Sequence, residues 1–277
     1  MNLSNYLAFM LVLLSSLLSD ASSRFRILNG NFSTIEDRPY MVLLLDSLKY
    51  FCAGSLVDLE TVITAAHCVK KREARYIDVK AGVHDTRERG ELRRVQCLII
   101  PPTYDEETRH MDIAVIKLSS PYTKSSTIKP IALCRTELKP STQMRISGWG
   151  AICKDSIENT ELLRTAFVDI ISKQDCASCY KEIQALTPSM ICAGLGEGGG
   201  DRCYGDSGAP GVVNGKMCTV VSAGIGCGDP NYPGIYTNLN NAQVLNFVKE
   251  WMKPTPVEKD QPSSSKKLFE YLKEKNT

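Results

Sequence analysis

Residues 111–118 read Met111-Asp112-Ile113-Ala114-Val115-Ile116-Lys117-Leu118. Aliphatic and β-branched side chains dominate, and one carboxylate leads the run, so a strand is expected over Ile113–Leu118. Working outward, similar short runs occur at Met41–Leu45, Thr61–Thr64, Ile77–Ala81, Met144–Ser147, Ala166–Ile171 and Cys218–Ser222. Turn residues (Gly, Pro and Asp) separate them, and no internal repeat is visible. The pattern predicts an all-β sandwich or barrel. One helix is expected near the end, because Val244, Phe247, Val248 and Trp251 fall at i, i+3, i+4 and i+7. Asn240 or Asn241 would cap it.

Composition bounds the function. The chain has 277 residues, 43% hydrophobic and 23% charged, which suits a globular core of one large or two small domains. Lys and Arg number 33 against 31 acidic residues, so no basic field points to nucleic acid. Eleven cysteines point to an oxidising compartment, and the odd count leaves at least one thiol without an internal partner. Tyr6–Leu18 is an apolar run of 13 residues, short of the roughly 20 that span a bilayer. Ser19, Ala21, Ser22 and Ser23 follow it, so residues 1–23 read as a secretory signal peptide and the protein as secreted and extracellular, without a membrane anchor. Residues 253–277 change character: Pro254, Pro256 and Pro262 break structure, and six lysines meet four acidic residues. That stretch reads as a flexible C-terminal tail, solvated and dispensable for catalysis.

Three residues carry candidate chemistry. His67 lies in Thr64-Ala65-Ala66-His67-Cys68, Asp112 opens the strand-like run, and Ser207 lies in Gly205-Asp206-Ser207-Gly208-Ala209-Pro210. A serine hydroxyl is a weak nucleophile until a base removes its proton. A histidine suits that role when a buried carboxylate orients it. Small residues around Ser207 allow a sharp turn that exposes the hydroxyl.

Together, TAAHC, MDIAVIKL and GDSGAP resemble the His, Asp and Ser boxes of trypsin-like serine proteases of the chymotrypsin fold. Ser147-Gly148-Trp149-Gly150 and Pro233-Gly234-Ile235-Tyr236 match two further family segments, and the resemblance runs from Ile27 to about Trp251. It implies an all-β fold: two six-stranded antiparallel β-barrels, the active site in the cleft between them, and a C-terminal α-helix. The protease domain would span residues 27–252. His67 would be the base, Asp112 its orienter and Ser207 the nucleophile. Backbone N–H groups of Gly205 and Ser207 would form the oxyanion hole, and Ser222 would hydrogen-bond Asp112. Residues 24–26 would be a short propeptide. Cleavage after Arg26 would free the amine of Ile27 to pair with Asp206, making the precursor a zymogen that needs an activating trypsin-like protease. No cofactor is implied. Partners would be protein or peptide substrates and protease inhibitors, with the enzyme a monomer.

The same resemblance implies disulfides Cys52–Cys68, Cys176–Cys192 and Cys203–Cys227, with Cys134 and Cys218 as a fourth pair. Cys97, Cys153 and Cys179 remain unassigned. The spacing Cys176-x-x-Cys179 lacks the second ligand pair of a zinc site. Asn31-Phe32-Ser33 is a glycosylation sequon at Asn31. His84 lies in a loop that binds calcium in some relatives, but Val83 stands where a liganding glutamate would be expected, so no metal is expected. His84 and His110 read as solvated loop residues.

Several positions depart from the family pattern. Ala209 replaces a glycine, and Met144 and Val213 stand where many relatives carry a disulfide. Ala223 replaces a tryptophan beside Gly224 and Gly234 of the substrate cleft. Asp201 would form the base of the primary pocket, with Arg202 beside it where relatives carry serine or alanine. An internal Arg202–Asp201 pair would weaken cleavage after Arg or Lys. The alternative to an active protease is a catalytically weak or inactive homologue that acts by binding.

Overall fold

The computed structural model describes residues 31–150, 161–194, 206–225 and 231–252. Its strands are β1 (Asn31–Phe32), β2 (Met41–Asp46), β3 (Lys49–Asp58), β4 (Thr61–Thr64), β5 (Ile77–Ala81), β6 (Glu91–Ile99), β7 (Ala114–Leu118), β8 (Gln143–Gly148), β9 (Arg164–Ile171), β10 (Met190–Gly194), β11 (Pro210–Val213), β12 (Lys216–Ala223) and β13 (Gly234–Asn238). The helices are α1 (Ala66–Val69), α2 (Lys173–Tyr180) and α3 (Ala242–Trp251).

The strands form two closed antiparallel barrels. The first runs β2-β3-β4-β7-β6-β5. The second runs β9-β10-β13-β12-β11-β8 and closes through the β8–β9 ladder, with the two-residue β1 added to the start of β9. Two six-stranded barrels and a final helix match the expected fold class.

Burial patterns follow this geometry. In β5, Ile77, Val79 and Ala81 are buried and Asp78 and Lys80 are half-exposed, the alternation of a strand with one wet face. All five residues of β7 are buried, including Lys117. Its second face is covered by α3, where Trp251 packs with Cys97, Ile99 and Val115. Asn241 caps α3: its side-chain oxygen accepts from the N–H groups of Gln243 and Val244, and Val244, Val248 and Trp251 are buried as the periodicity requires.

The seven strands read from sequence are all present, with ends shifted by a residue or two. β3, β6, β10, β11 and β13 were not legible as strands. β6 carries charge on its exposed half, and β11 opens on Pro210-Gly211, which reads as a turn although Pro is tolerated as a strand's first residue. Helix α2 was also missed. It buries only Cys176 and Tyr180, so it has no apolar stripe to read. Ser172 caps it, and the Cys176–Cys192 disulfide ties it to β10.

Disulfides Cys52–Cys68, Cys176–Cys192 and Cys134–Cys218 are formed. Cys203, Cys227 and Cys153 lie outside the described residues. Cys97 is a free, buried thiol and Cys179 a free, exposed one. Met144 and Val213 are both buried, on the paired strands β8 and β11.

Candidate active site

Asp112 sits at the entry to β7 with no solvent exposure. A turn delivers it: Met111 takes a left-handed φ of 54° and the N–H of Ile113 donates to the Met111 carbonyl at 2.7 Å. One carboxylate oxygen, Oδ1, accepts the backbone N–H of His67 at 2.9 Å. The other, Oδ2, lies 2.8 Å from His67 Nδ1 and accepts the Ser222 hydroxyl. Thr237 Oγ1 fixes the backbone by donating to the Asp112 carbonyl at 2.7 Å. Burial alone would raise the Asp112 pKa, yet the hydrogen bonds from His67 and Ser222 hold it below the usual carboxylate range.

His67 lies in α1, directly after β4, and the Cys52–Cys68 disulfide pins the next residue to β3. With Nδ1 committed to Asp112, a neutral ring carries its proton there and leaves Nε2 as the basic nitrogen. Nε2 has Cys68 Sγ at 3.7 Å and makes no hydrogen bond to Ser207. His67 and Ser207 do share the wall of one cavity of about 610 Å³, with Phe51, Arg72 and Tyr76 among its other lining residues. Catalytic hydrogen bonds are often long without substrate and tighten only in the complex.

Ser207 lies on a tight turn locked between the barrels. The N–H of Ala209 donates to the Asp206 carbonyl and that of Ala53 to the Ser207 carbonyl, both at 2.9 Å. Gly208 has φ +82°, and a Cβ there would lie 2.1 Å from Thr64 Oγ1 and 2.3 Å from the Ala53 carbonyl. Only glycine fits, and the close approach seats the serine against the strand that leads to His67. Ala209 is buried without a left-handed backbone, which explains why the glycine-to-alanine departure is accommodated.

Asp206 is buried beside this turn, and its Oδ1 accepts the N–H of Gly150 at 2.9 Å. A Cβ on Gly150 would come within 2.5 Å of the carboxylate. Ser222 is buried, Ala223 half-buried, and Gly234 opens β13 next to Tyr232, whose ring meets Tyr180 edge-on at 5.7 Å. Arg26, Ile27, Asp201, Arg202 and Gly205 lie outside the described residues. Asn31 is exposed on β1.

Two histidine readings divide. His84 is exposed and pairs with Glu88 at 3.0 Å. His110 is half-buried rather than solvated: its Nδ1 lies 3.2 Å from Ser189 Oγ, which also accepts the N–H of Met111. From β5, the Lys80 ammonium donates to two carbonyls of the following loop, Thr86 at 2.6 Å and Glu88 at 3.0 Å. Cys52, His67 and Cys68 cluster, but their sulfurs are joined in a disulfide and offer no thiolate to a metal. Sequence reading missed Thr237, which orients the Asp112 backbone from a strand 125 residues away. No local signal marks such a long-range contact.

The family model described as Trypsin matches residues 27–247. The chain belongs to the trypsin family. It is 41% identical to trypsin II-P29 of Gallus gallus over 220 residues, covering 78% of this chain and 84% of that protein. It is 39% identical to serine protease 1 of Rattus norvegicus over the same length. Among solved structures it resembles neuropsin, a serine protease expressed in the limbic system of mouse brain. That match has a TM-score of 0.73 and 30% identity, and covers 80% of this chain and 98% of the other. This trypsin-family chain is a serine endopeptidase acting on protein substrates. No described helix is long and apolar enough to cross a membrane.

Proposed function

We propose that the enzyme is secreted as a zymogen and hydrolyses peptide bonds through an acyl-enzyme. Residues 1–23 act as the signal, 24–26 as the propeptide, 27–252 as the protease domain and 253–277 as a tail not needed for turnover. A trypsin-like protease cuts after Arg26, and the new amine of Ile27 pairs with Asp206.

In this reading His67 Nε2 takes the proton of the Ser207 hydroxyl as Oγ attacks the substrate carbonyl carbon. The developing oxyanion is stabilised by the N–H groups of Gly205 and Ser207, each such donor being worth about 10²–10³ in rate. Collapse expels the amine with the proton from His67. Water then repeats the sequence on the ester and releases the acid. Asp112 stays ionised throughout and stabilises the imidazolium. The observation that carries the reading is the buried Asp112 carboxylate, bonded to both the backbone and ring of His67 and to Ser222, with His67 and Ser207 on one cavity wall. In the primary pocket, Arg202 pairs with Asp201 and makes cleavage after Arg or Lys weak.

A fluorophosphonate probe tests the assignment. After tryptic cleavage, wild-type protein should label and Ser207→Ala should not. Correctly processed wild type that stays unlabelled would remove Ser207 as the nucleophile.

A further inference from the structure

The second barrel carries a pair of cations that catalysis does not use. Across the β8–β9 ladder, Arg145 pairs with Phe167 and Ser147 with Thr165. These four side chains therefore share the outer face, while Met144, Ile146, Ala166 and Val168 face the core. Arg38 arrives on the segment that crosses from β1 to β2. Its Nε donates to Ser147 Oγ and Thr165 Oγ1, both at 3.3 Å. Arg145 Nη2 donates to Tyr40 Oη at 3.3 Å. The Ser147 and Thr165 hydroxyls bond each other at 2.7 Å.

Among the described residues, no carboxylate forms an ion pair with either guanidinium. Asp37 accepts an Arg38 hydrogen bond through its backbone carbonyl, at 2.8 Å, and its exposed carboxylate favours the charged guanidinium less than burial and Arg145 oppose it. Arg145 Nε is shut off from solvent and has no partner. Both side chains are half-buried. Burial, and then the neighbouring Arg145, push the Arg38 pKa down, as expected for two cations held together. An arginine does not relieve such repulsion by losing its proton. A counter-anion does, and two planar forks beside three hydroxyls match a ligand with several acceptor oxygens.

We propose that Arg38 and Arg145, with the hydroxyls of Tyr40, Ser147 and Thr165, form a binding site for a tetrahedral dianion of the sulfate or phosphate type. A bound anion ties the β1–β2 crossover to β8. Because that crossover links the second barrel to the first, occupancy stabilises the folded chain by mass action.

The test is calorimetric titration of the full chain at constant ionic strength, paired with thermal unfolding. Inorganic sulfate, inorganic phosphate and phosphoserine are the three ligands. Saturable one-to-one binding with a Kd of roughly millimolar order is expected, with a Tm that rises as the logarithm of ligand concentration above Kd. Arg38→Gln and Arg145→Gln should each weaken binding at least tenfold, and Arg145→Lys should weaken it less. Arg93→Gln, at an arginine already paired with Glu91 in the first barrel, should leave binding unchanged. Equal affinity for all three ligands identifies a free anion, and tighter phosphoserine identifies an ester carried on another molecule. Near-ultraviolet circular dichroism and a single cooperative unfolding transition confirm that each variant is folded. Absence of heat overturns the proposal. So does a Tm rise linear in salt concentration and the same in every variant, since excluded salts stabilise any protein that way.

Discussion

Lys117 of the first barrel and Arg164 of the second are both 5% exposed, yet their surroundings differ. The Lys117 ammonium donates to Thr61 Oγ1 at 2.6 Å and to the Trp251 carbonyl at 3.2 Å, with the Glu60 carboxylate at 3.9 Å. Arg164 lies over the Phe32 ring at 4.2 Å and leaves Nε and Nη1 without a partner. Burial pushes its pKa down, and among the described residues no charge offsets the effect. The first barrel thus uses its cation as a joint, fastening the end of α3 to β4 and β7. The second barrel tolerates a cation with no such role. The candidate catalytic groups, by contrast, are held across the barrels: Ser222 and Thr237 of the second bond Asp112 beside β7, and Ala53 of the first donates to the carbonyl of Ser207 on its second-barrel turn.

The largest effect that would break this comparison lies at the first barrel's best-satisfied group. Asp112→Asn keeps the shape but lets the amide donate where His67 and Ser222 donate now. The His67 tautomer is then wrong, and kcat should fall by about 10⁴ with little change in KM. Steady-state kinetics on a peptide ester decide it. A loss under tenfold would mean that the histidine is oriented by something else.

Next comes Lys117→Met. The methionine fits the stem but leaves the Trp251 carbonyl and Thr61 hydroxyl without their buried donor. A cost of about 2–4 kcal/mol in unfolding free energy is expected. Denaturant unfolding measures it, and a change below 0.5 kcal/mol would show that the joint is ornamental.

How much of this was visible in the sequence follows from where the information sits. TAAHC, MDIAVIKL and GDSGAP are local and chemically distinctive, so His67, Asp112 and Ser207 were legible. Strands such as β5, with strict alternation, were legible too. Strand β6 was not, because Glu91, Arg93 and Arg94 occupy its exposed half. Lys117 looked like an ordinary strand residue, since nothing local announces that Trp251, 134 residues away, closes over it. His110 was misjudged for the same reason: its partner Ser189 comes from the other barrel.

Two free thiols among the described residues sharpen the contrast between barrels. Cys97, on β6 beneath α3, has its pKa pushed up to about 11, chiefly by burial. At pH 8 roughly one molecule in 10³ carries the thiolate, which is the reactive form. Iodoacetamide should therefore modify exposed Cys179 at least 100-fold faster than Cys97, as read by mass spectrometry of native protein. The sign of the linkage also follows. A thiol whose folded pKa is raised stays neutral while the unfolded chain ionises, so stability should decline as pH climbs from about 8.5 towards 11. Equal labelling of both thiols at pH 8 would place Cys97 in solvent.

The smallest effect expected is also the most discriminating. Arg164→Met removes a buried charge that, among the described residues, has an aromatic face but no ion-pair partner. Replacing an unpaired or poorly paired buried charge by an apolar side chain of similar length is often neutral or stabilising. The Phe32 contact is worth about 0.5–1 kcal/mol. Against it stands relief of two buried N–H groups without partners, each a cost of about 1–3 kcal/mol. The balance should leave unfolding free energy unchanged or raised by about 1 kcal/mol, opposite in sign to Lys117→Met. Arg164→Gln sharpens the reading: it keeps a polar head in the same place and should be worse than methionine. Denaturant unfolding of the three variants side by side gives the answer. If Arg164→Met costs as much as Lys117→Met, then Arg164 is a joint of the second barrel after all, and the contrast between the barrels falls.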